Sequence, residues 1–325
     1  MKPKVLIMKP IPDDVEKFIA EHCDYEIWNE SDSMPEETLF EKLATVDGLM
    51  PAKEKINDSL LDHAPNLKII SNISVGYDNF DTDEMKKRGI MGTNTPYVLD
   101  ETVADTAFGL LLMTARKFSM LDRHVKTGGW DVKDDPMFLG RDVHHATLGI
   151  FGLGRIGEKV IRRAVRGFDM NVIYHNRSRN ESLEKEYGID YRSKEEVLKQ
   201  ADFILTLLPL TEQTTNYISK EEFDLMKADA FLIHLSRGKV VDEAALIQAL
   251  KEKRIAGAGL DVYEEEPVSP DNSLLGMDNV VTLPHVGSAT QQTRDGMAMR
   301  AAENLVQGLQ GEKPKDLVKE LDTSQ

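Results

Sequence analysis

Apolar residues recur along this chain in short blocks, separated by stretches in which they return at three- and four-residue intervals. Short blocks bounded by turn residues read as buried strands, and the longer spacing reads as amphipathic helix. The blocks Val5–Met8, Tyr25–Trp28, Gly48–Met50, Leu67–Ser71 and Ile90–Met91 are strand-like. Between them, Pro12 opens a helix with Asp13 and Asp14 in its first turn and Val15, Phe18 and Ile19 on one face. Glu36–Ala44, Asp58–His63 and Asp81–Lys87 are helical, the last ended by Gly89. This alternation predicts a parallel sheet with helices on both faces.

Thr95-Pro96 interrupts the pattern. Asp100 then caps a long helix through Arg116, apolar enough to be buried on most sides. Between Lys126 and Asp142 lies a Gly/Asp/Pro-containing stretch with Trp130, Met137 and Phe138, which reads equally as a partner surface or as packing onto its own domain. A second strand–helix series begins at Thr147, with strands at Val172–His175, Phe203–Leu207, Ala230–Leu235, Ala256–Leu260 and Val280–Leu283. One of its helices starts with a capping box at Ser219 and Glu222. After Pro284 the chain turns helical to about Gln310, and a charged tail is expected to fray. No internal repeat is visible.

The 325 residues suit about two domains, and 41% hydrophobic content suffices for their cores. A net charge of −16 argues against a nucleic-acid or anionic-membrane surface, so local positive groups must meet any anionic substrate. The single cysteine, Cys23, excludes an intrachain disulfide and suits a buried helix position. No apolar run approaches a membrane span, and the basic-then-apolar start is too short for a signal peptide. The expected location is cytoplasmic.

The chemistry starts at TLGIFGLGRIGEKV, residues 147–160, where Gly152, Gly154 and Gly157 make the G-x-G-x-x-G spacing between a strand and a helix. In a dinucleotide site the first glycine permits the turn, the second lets backbone approach a pyrophosphate, and the third packs helix on strand. The helix N-terminus then faces the phosphates. The spacing alone is also that of an ordinary strand–turn–helix. The next strand ends in Tyr174-His-Asn-Arg-Ser-Arg179, without the acid that would bind a ribose 2′-hydroxyl. Arg177 and Arg179, with Ser178 between them, would instead grip a 2′-phosphate, which favours NADP(H) with NAD(H) as the other possibility. A solvated basic loop is the alternative. Three later segments follow consecutive strands: Leu235-Ser-Arg-Gly238, Asp261-Val-Tyr-Glu-Glu-Glu-Pro267 and Leu283-Pro-His-Val-Gly287. Ligands of open α/β sheets bind at such carboxyl ends.

These motifs, with Ile73–Phe80 (ISVGYDNF), Thr95-Pro96, Glu101–Thr106 (ETVADT), Asp142–His145, Leu208–Thr211 and Ala258–Val262, resemble nearly end to end the D-2-hydroxyacid dehydrogenases, in particular the bacterial glyoxylate/hydroxypyruvate reductases that also reduce 2-ketogluconate. The resemblance implies a catalytic Arg237, Glu266 and His285. His285 would supply a proton to the developing alkoxide, since imidazole titrates near neutral pH. Glu266 is chosen over Glu264 and Glu265 because it immediately precedes the proline, and its pairing would orient His285. Arg237 would hold the carboxylate and polarise the carbonyl. Ser74, Val75 and Gly76 would complete the carboxylate site; the alternative for the glycine is that it only relieves a turn. The cofactor set implied is Gly152, Gly154, Arg155, Ile156, Gly157, Asn176, Arg177, Ser178, Arg179, Pro209, Leu235, Ser236, Asp261 near the nicotinamide carboxamide, and Gly287.

His234 departs from the family, which usually carries a small polar residue there, often asparagine; it either touches cofactor or packs. The adjacent His144 and His145 point apart in either regular structure, so no metal is expected. The fold class expected is α/β, with two Rossmann-like or flavodoxin-like parallel-sheet domains and an active-site cleft between them. Residues 1–98 with 287–325 would bind substrate, and 99–286 would form the NAD(P)-binding domain, including a dimerisation helix and arm around Met137 and Phe138. The function expected is NADPH-dependent reduction of glyoxylate, hydroxypyruvate and 2-ketogluconate by a homodimer. The rivals are an NAD-linked dehydrogenase of another D-2-hydroxy acid and a non-catalytic NAD(P)-sensing protein on the same fold.

Overall fold

The computed structural model describes residues 1–30, 32–131 and 135–322. Its internal contacts divide the chain into two units, Met1–Leu99 with Ala289–Gln325, and Asp100–Ser288. The divisions fall at Leu99/Asp100 and Ser288/Ala289, against the 98/99 and 286/287 read from the sequence.

In the first unit, strands β1 (Lys4–Ile7), β2 (Asp24–Ile27), β3 (Gly48–Met50), β4 (Ile69–Ser71) and β5 (Met91–Thr93) form a sheet of order β2-β1-β3-β4-β5. Every pairing is parallel. Leu6, Leu49 and Ile70 are fully buried in it, under Leu39, Leu43 and Met85 from the flanking helices. The helix Gln291–Leu309 packs on β3, β4 and β5, and Ser71 Oγ donates to its Ala301 carbonyl at 2.8 Å. Cys23 is buried just past the helix Asp13–His22 rather than within it. Burial pushes its thiol up to about 11, which leaves it inert at neutral pH.

The charged tail does not fray through residue 322. Val318 and Leu321 are buried, and the Val318 amide donates to Gly92 O at 2.9 Å. Asp316 receives both ends of the Arg300 fork, at 2.5 and 2.9 Å, and the Asn304 amide at 2.9 Å. Charge along the tail hides this docking, because the apolar residues that anchor it are few and widely spaced.

In the second unit, β6 (Thr147–Phe151), β7 (Asn171–His175), β8 (Asp190–Tyr191), β9 (Phe203–Thr206), β10 (Phe231–His234), β11 (Gly257–Leu260) and β12 (Val280–Thr282) form a sheet of order β12-β11-β10-β9-β6-β7-β8. All its pairings are parallel too. The chain leaves β6 toward β7 and β8 on one side, then returns to β9 on the other. That reversal beside β6 is where dinucleotides bind doubly wound sheets. The core around Phe151, Ile204, Leu232 and Ala258 lies under Val197, Phe223 and Leu246.

The helix Asp100–Ala115 buries Val103, Ala104, Ala107, Phe108, Leu110 and Leu111, as its composition implies. Asp100 is its first helical residue, and its buried carboxylate lies 3.3 Å from Arg155 Nε. Lys117, at φ 56°, breaks the chain into a second helix, Phe118–Lys126, in which no residue is buried. Phe118, Leu121 and Val125 recur at helical spacing along it, with Met120, Leu121 and His124 half-buried. The capping box forms, with the Ser219 amide donating to Glu222 at 2.8 Å ahead of the helix Lys220–Leu225. Among the described residues no helix is long and apolar enough to cross a membrane.

Asp316→Ala is expected to cost about 3 kcal/mol of stability, because it strands the buried Arg300 and Asn304 groups. Urea unfolding of the two proteins checks this, and equal midpoints would mean that the docked tail contributes nothing.

Candidate active site

The strand β6 ends in the glycine loop. Gly152 has φ +94°, and a Cβ there would lie 2.7 Å from the Leu207 carbonyl carbon, so the loop presses against the end of β9. Gly154 caps the helix Arg155–Phe168, and nothing lies within 4 Å of where its Cβ would be. Gly157 meets the Leu153 side chain at 3.0 Å, keeping helix close to strand. The first-turn amides of Arg155, Ile156 and Gly157 have no partner within the helix. Together the open side of Gly154 and these amides fit a pyrophosphate. Asn176 turns inward: its amide accepts from Leu153 N at 2.7 Å and donates to Leu153 O at 2.9 Å. It therefore braces the glycine loop.

The basic loop after β7 is altered by an acid that the sequence reading placed out of reach. Arg177, Ser178 and Arg179 are exposed. Arg179 nevertheless forks onto Glu184, with Nε 3.1 Å from Oε1 and a second contact from its terminal nitrogen to Oε2. Glu184 lies on the helix Glu181–Tyr187, which folds back over the loop after Asn180 caps it. It also accepts from the Tyr174 hydroxyl at 2.6 Å. The Arg179 and Tyr174 hydrogen bonds hold its carboxyl below the usual range. Arg177 makes no ion pair with any described residue, so it is the freer cation of the two.

The other side chains gather at the carboxyl edge of β10, β11 and β12. Register pairs His234 with Leu260 and Leu260 with Thr282, so the three following loops leave the sheet at one level. After β10, Leu235 and Ser236 are buried and Arg237 is half-buried, one terminal nitrogen donating to Ser236 O at 3.0 Å. A Cβ on Gly238 would fall 1.7 Å from Tyr263 O, inside that atom's own volume. Only glycine lets the Arg237 turn sit directly against the loop after β11.

That loop carries Glu266. One carboxylate oxygen accepts from the Tyr263 amide at 3.1 Å, and the other lies 2.7 Å from His285 Nδ1. Burial favours the neutral acid, but the His285 contact, the Tyr263 amide and the charge of Arg237 outweigh it and hold the carboxyl below its ordinary range. Because a carboxylate only accepts, Nδ1 carries the hydrogen of that bond, and Nε2 faces away from it.

His285 stands at φ 54°, a left-handed conformation that costs a non-glycine residue about 1–2 kcal/mol. The compensation comes from Asp261. Its two oxygens accept from the Val286 and Gly287 amides, each at 2.8 Å. The Thr106 hydroxyl adds a bond to Gly287 O at 3.1 Å. Asp261 is buried, and burial raises its pKa against the pull of those amides. Its two carboxylate oxygens thus hold the histidine loop. Thr106 was legible only as part of a quoted motif, without a role.

His234 packs: it is buried, with Nδ1 2.5 Å from Thr206 Oγ1. Pro209 is exposed beyond β9, its carbonyl accepting from Thr214 at 2.6 Å. In the first unit, the Ser74 hydroxyl donates to Gly76 O at 2.6 Å, and Asn94 donates to Val75 O at 2.7 Å. The hydroxyl is thus engaged in the turn, while the Val75 and Gly76 amides donate to no described residue. The rings of His144 and His145 do not point apart: they touch edge-on with centroids 5.0 Å apart, because His145 has φ 62° and lies outside regular structure.

Gly238→Ala is expected to lower kcat/KM by roughly 10²-fold, since the Arg237 turn must back away from Tyr263 by an ångström or more. Steady-state kinetics on protein with an unchanged far-ultraviolet spectrum checks it, and near-normal kcat/KM would contradict the close packing.

Residues 108–287 match the family described as "D-isomer specific 2-hydroxyacid dehydrogenase, NAD binding domain". The chain is 46% identical over 323 residues to the glyoxylate reductase of Pyrococcus furiosus, covering 98% of this chain and 96% of that one. It is 44% identical over 319 residues to glyoxylate/hydroxypyruvate reductase B of Escherichia coli, covering 98% of each. Among solved structures, it is similar to the NADPH-dependent glyoxylate/hydroxypyruvate reductase of Sinorhizobium meliloti in complex with NADP and malonate, with TM-score 0.86, 33% identity, and 99% and 98% of the two chains covered. With the glycine loop and the strand-end residues in the arrangement described, the chain belongs to the D-isomer-specific 2-hydroxyacid dehydrogenases, NAD(P)-dependent oxidoreductases acting on CH–OH groups.

Proposed function

We propose that this enzyme reduces small 2-keto acids, glyoxylate and hydroxypyruvate foremost and 2-ketogluconate in addition, to D-2-hydroxy acids, with NADPH as the preferred reductant. The observation that carries the reading is the 2.7 Å contact between Glu266 and His285 Nδ1, which leaves Nε2 to give up a proton. The names of the relatives in Pyrococcus furiosus and Escherichia coli support the substrate class.

The glycine loop and the Arg155–Gly157 amides would hold the pyrophosphate, and when bound the reduced nicotinamide supplies a hydride. Arg237 would grip the substrate carboxylate and polarise its carbonyl, drawing charge onto the oxygen as the carbon is reduced. His285 then passes the Nε2 proton to that oxygen, and Glu266 balances the imidazole's charge and keeps it oriented. Asp261 holds the loop that carries His285.

Arg177 and Arg179 favour a 2′-phosphate, and Arg177 carries most of that preference because Arg179 is already engaged by Glu184. The same Glu184 is the observation that favours the second reading, an NAD-linked dehydrogenase. A panel of glyoxylate, hydroxypyruvate, 2-ketogluconate and pyruvate with NADPH and NADH is expected to show the highest kcat/KM for the first two with NADPH. Arg177→Ala is expected to raise KM for NADPH about tenfold and to leave that for NADH unchanged, consistent with loss of a charge-assisted hydrogen bond. Preference for NADH in the unaltered enzyme would establish the second reading, and no turnover with any keto acid would overturn both.

We also propose a homodimer. Phe118, Val125, Trp130 and Leu139 are all exposed on the helix Phe118–Lys126 and the segment after it. So much apolar surface in one region suits a self-complementary interface. Three residues of the expected arm, 132–134, lie outside the described residues. Light scattering at micromolar concentration is expected to give twice the chain mass, and a monomer would contradict the assignment.

A further inference from the structure

We infer that His234 is a positioning residue that fixes the Arg237–Gly238 turn, and through it the grip of Arg237 on the 2-keto acid; the inference rests on the role given to Arg237 above. His234 is the last residue of β10 and is 2% exposed. Its Nε2 lies 3.4 Å from Gly238 O, and Nδ1 lies 2.5 Å from Thr206 Oγ1 and 3.5 Å from Ser236 Oγ. A carbonyl oxygen only accepts, so Nε2 carries the hydrogen. Nδ1 is then the acceptor, and the Thr206 hydroxyl donates to it. This assigns one neutral tautomer, and burial agrees by pulling the imidazole down to about 4.

The ring thus ties the end of β9 to the turn after β10. The far side of that turn has no room either, since Gly238 lies against Tyr263. The Gly238 backbone is thus contacted from both sides, by His234 and by Tyr263. The loop on the far side also carries Glu266, whose charge is felt at His234. One buried ring therefore supports Arg237 directly and borders the segment that orients His285. A histidine filling space alone would be replaceable by leucine. A histidine acting through its two hydrogen bonds would be replaceable by asparagine, which also offers an N–H donor and an acceptor.

The test uses oxalate, a planar mimic of the 2-keto acid, titrated calorimetrically into the NADPH-saturated enzyme, with glyoxylate turnover measured alongside. His234→Leu is expected to weaken oxalate binding and to raise KM for glyoxylate about tenfold, with NADPH affinity unchanged. His234→Asn should stay within about threefold of the unaltered enzyme. In an Arg237→Lys background the leucine substitution should change oxalate affinity less than twofold, since residues that act through one another are not additive. Thr206→Val, which removes the other hydrogen bond, should mimic His234→Leu if the leucine variant does not fold. Equal effects of leucine and asparagine, additivity with Arg237→Lys, or no oxalate binding by the unaltered enzyme would overturn the inference. Oxalate binding with the expected coupling but no glyoxylate turnover would instead sustain it and overturn the reductase reading.

Discussion

The carboxylate of Asp261, buried at the end of β11, accepts two successive backbone amides from the loop after β12, and the placement of His285 follows from that. Without those bonds the loop has no reason to adopt a left-handed histidine. With them, Val286 and Gly287 are anchored and the imidazole is turned toward Glu266. A buried carboxylate is destabilising unless its oxygens are satisfied, and here both are satisfied by the segment that must be held. Removing it would release the loop and also leave two amides without partners.

The same economy runs through the neighbouring loops. Tyr263 gives its amide to Glu266, and its backbone is the surface on which Gly238 rests. Because β10, β11 and β12 are parallel and in register, their three loops emerge side by side. Each then contributes one chemical group, and the loop after β11 supports both neighbours, through Tyr263 on one side and Asp261 on the other. The seven-stranded sheet sets the spacing, and the backbone hydrogen bonds among the loops set the orientation. Rigid elements thus hold an irregular segment in a geometry it would not choose alone.

Much of this was legible in the sequence where local pattern and chemistry coincide. The glycine loop could be read because each glycine answers a separate steric demand, and the strand ends because parallel sheets bind ligands there. What escaped depended on contacts between residues far apart in the chain. The bracing of the glycine loop by Asn176 could not be read, because its amide closes on Leu153, 23 residues earlier. Arg179 looked free until the helix after it brought Glu184 alongside. The tail looked soluble because its charge outnumbers the few residues that dock it. Phe118–Lys126 went unread although Phe118, Leu121 and Val125 recur at helical spacing, because none of its residues belongs to a buried core.

The account depends most on His285 delivering a proton while Glu266 holds it. The most direct measurement is the single-turnover rate of NADPH oxidation at saturating glyoxylate, for the unaltered enzyme and for His285→Ala. The account expects a fall of roughly 10²–10⁴-fold with NADPH affinity preserved. A single-turnover rate close to that of the unaltered enzyme would contradict it.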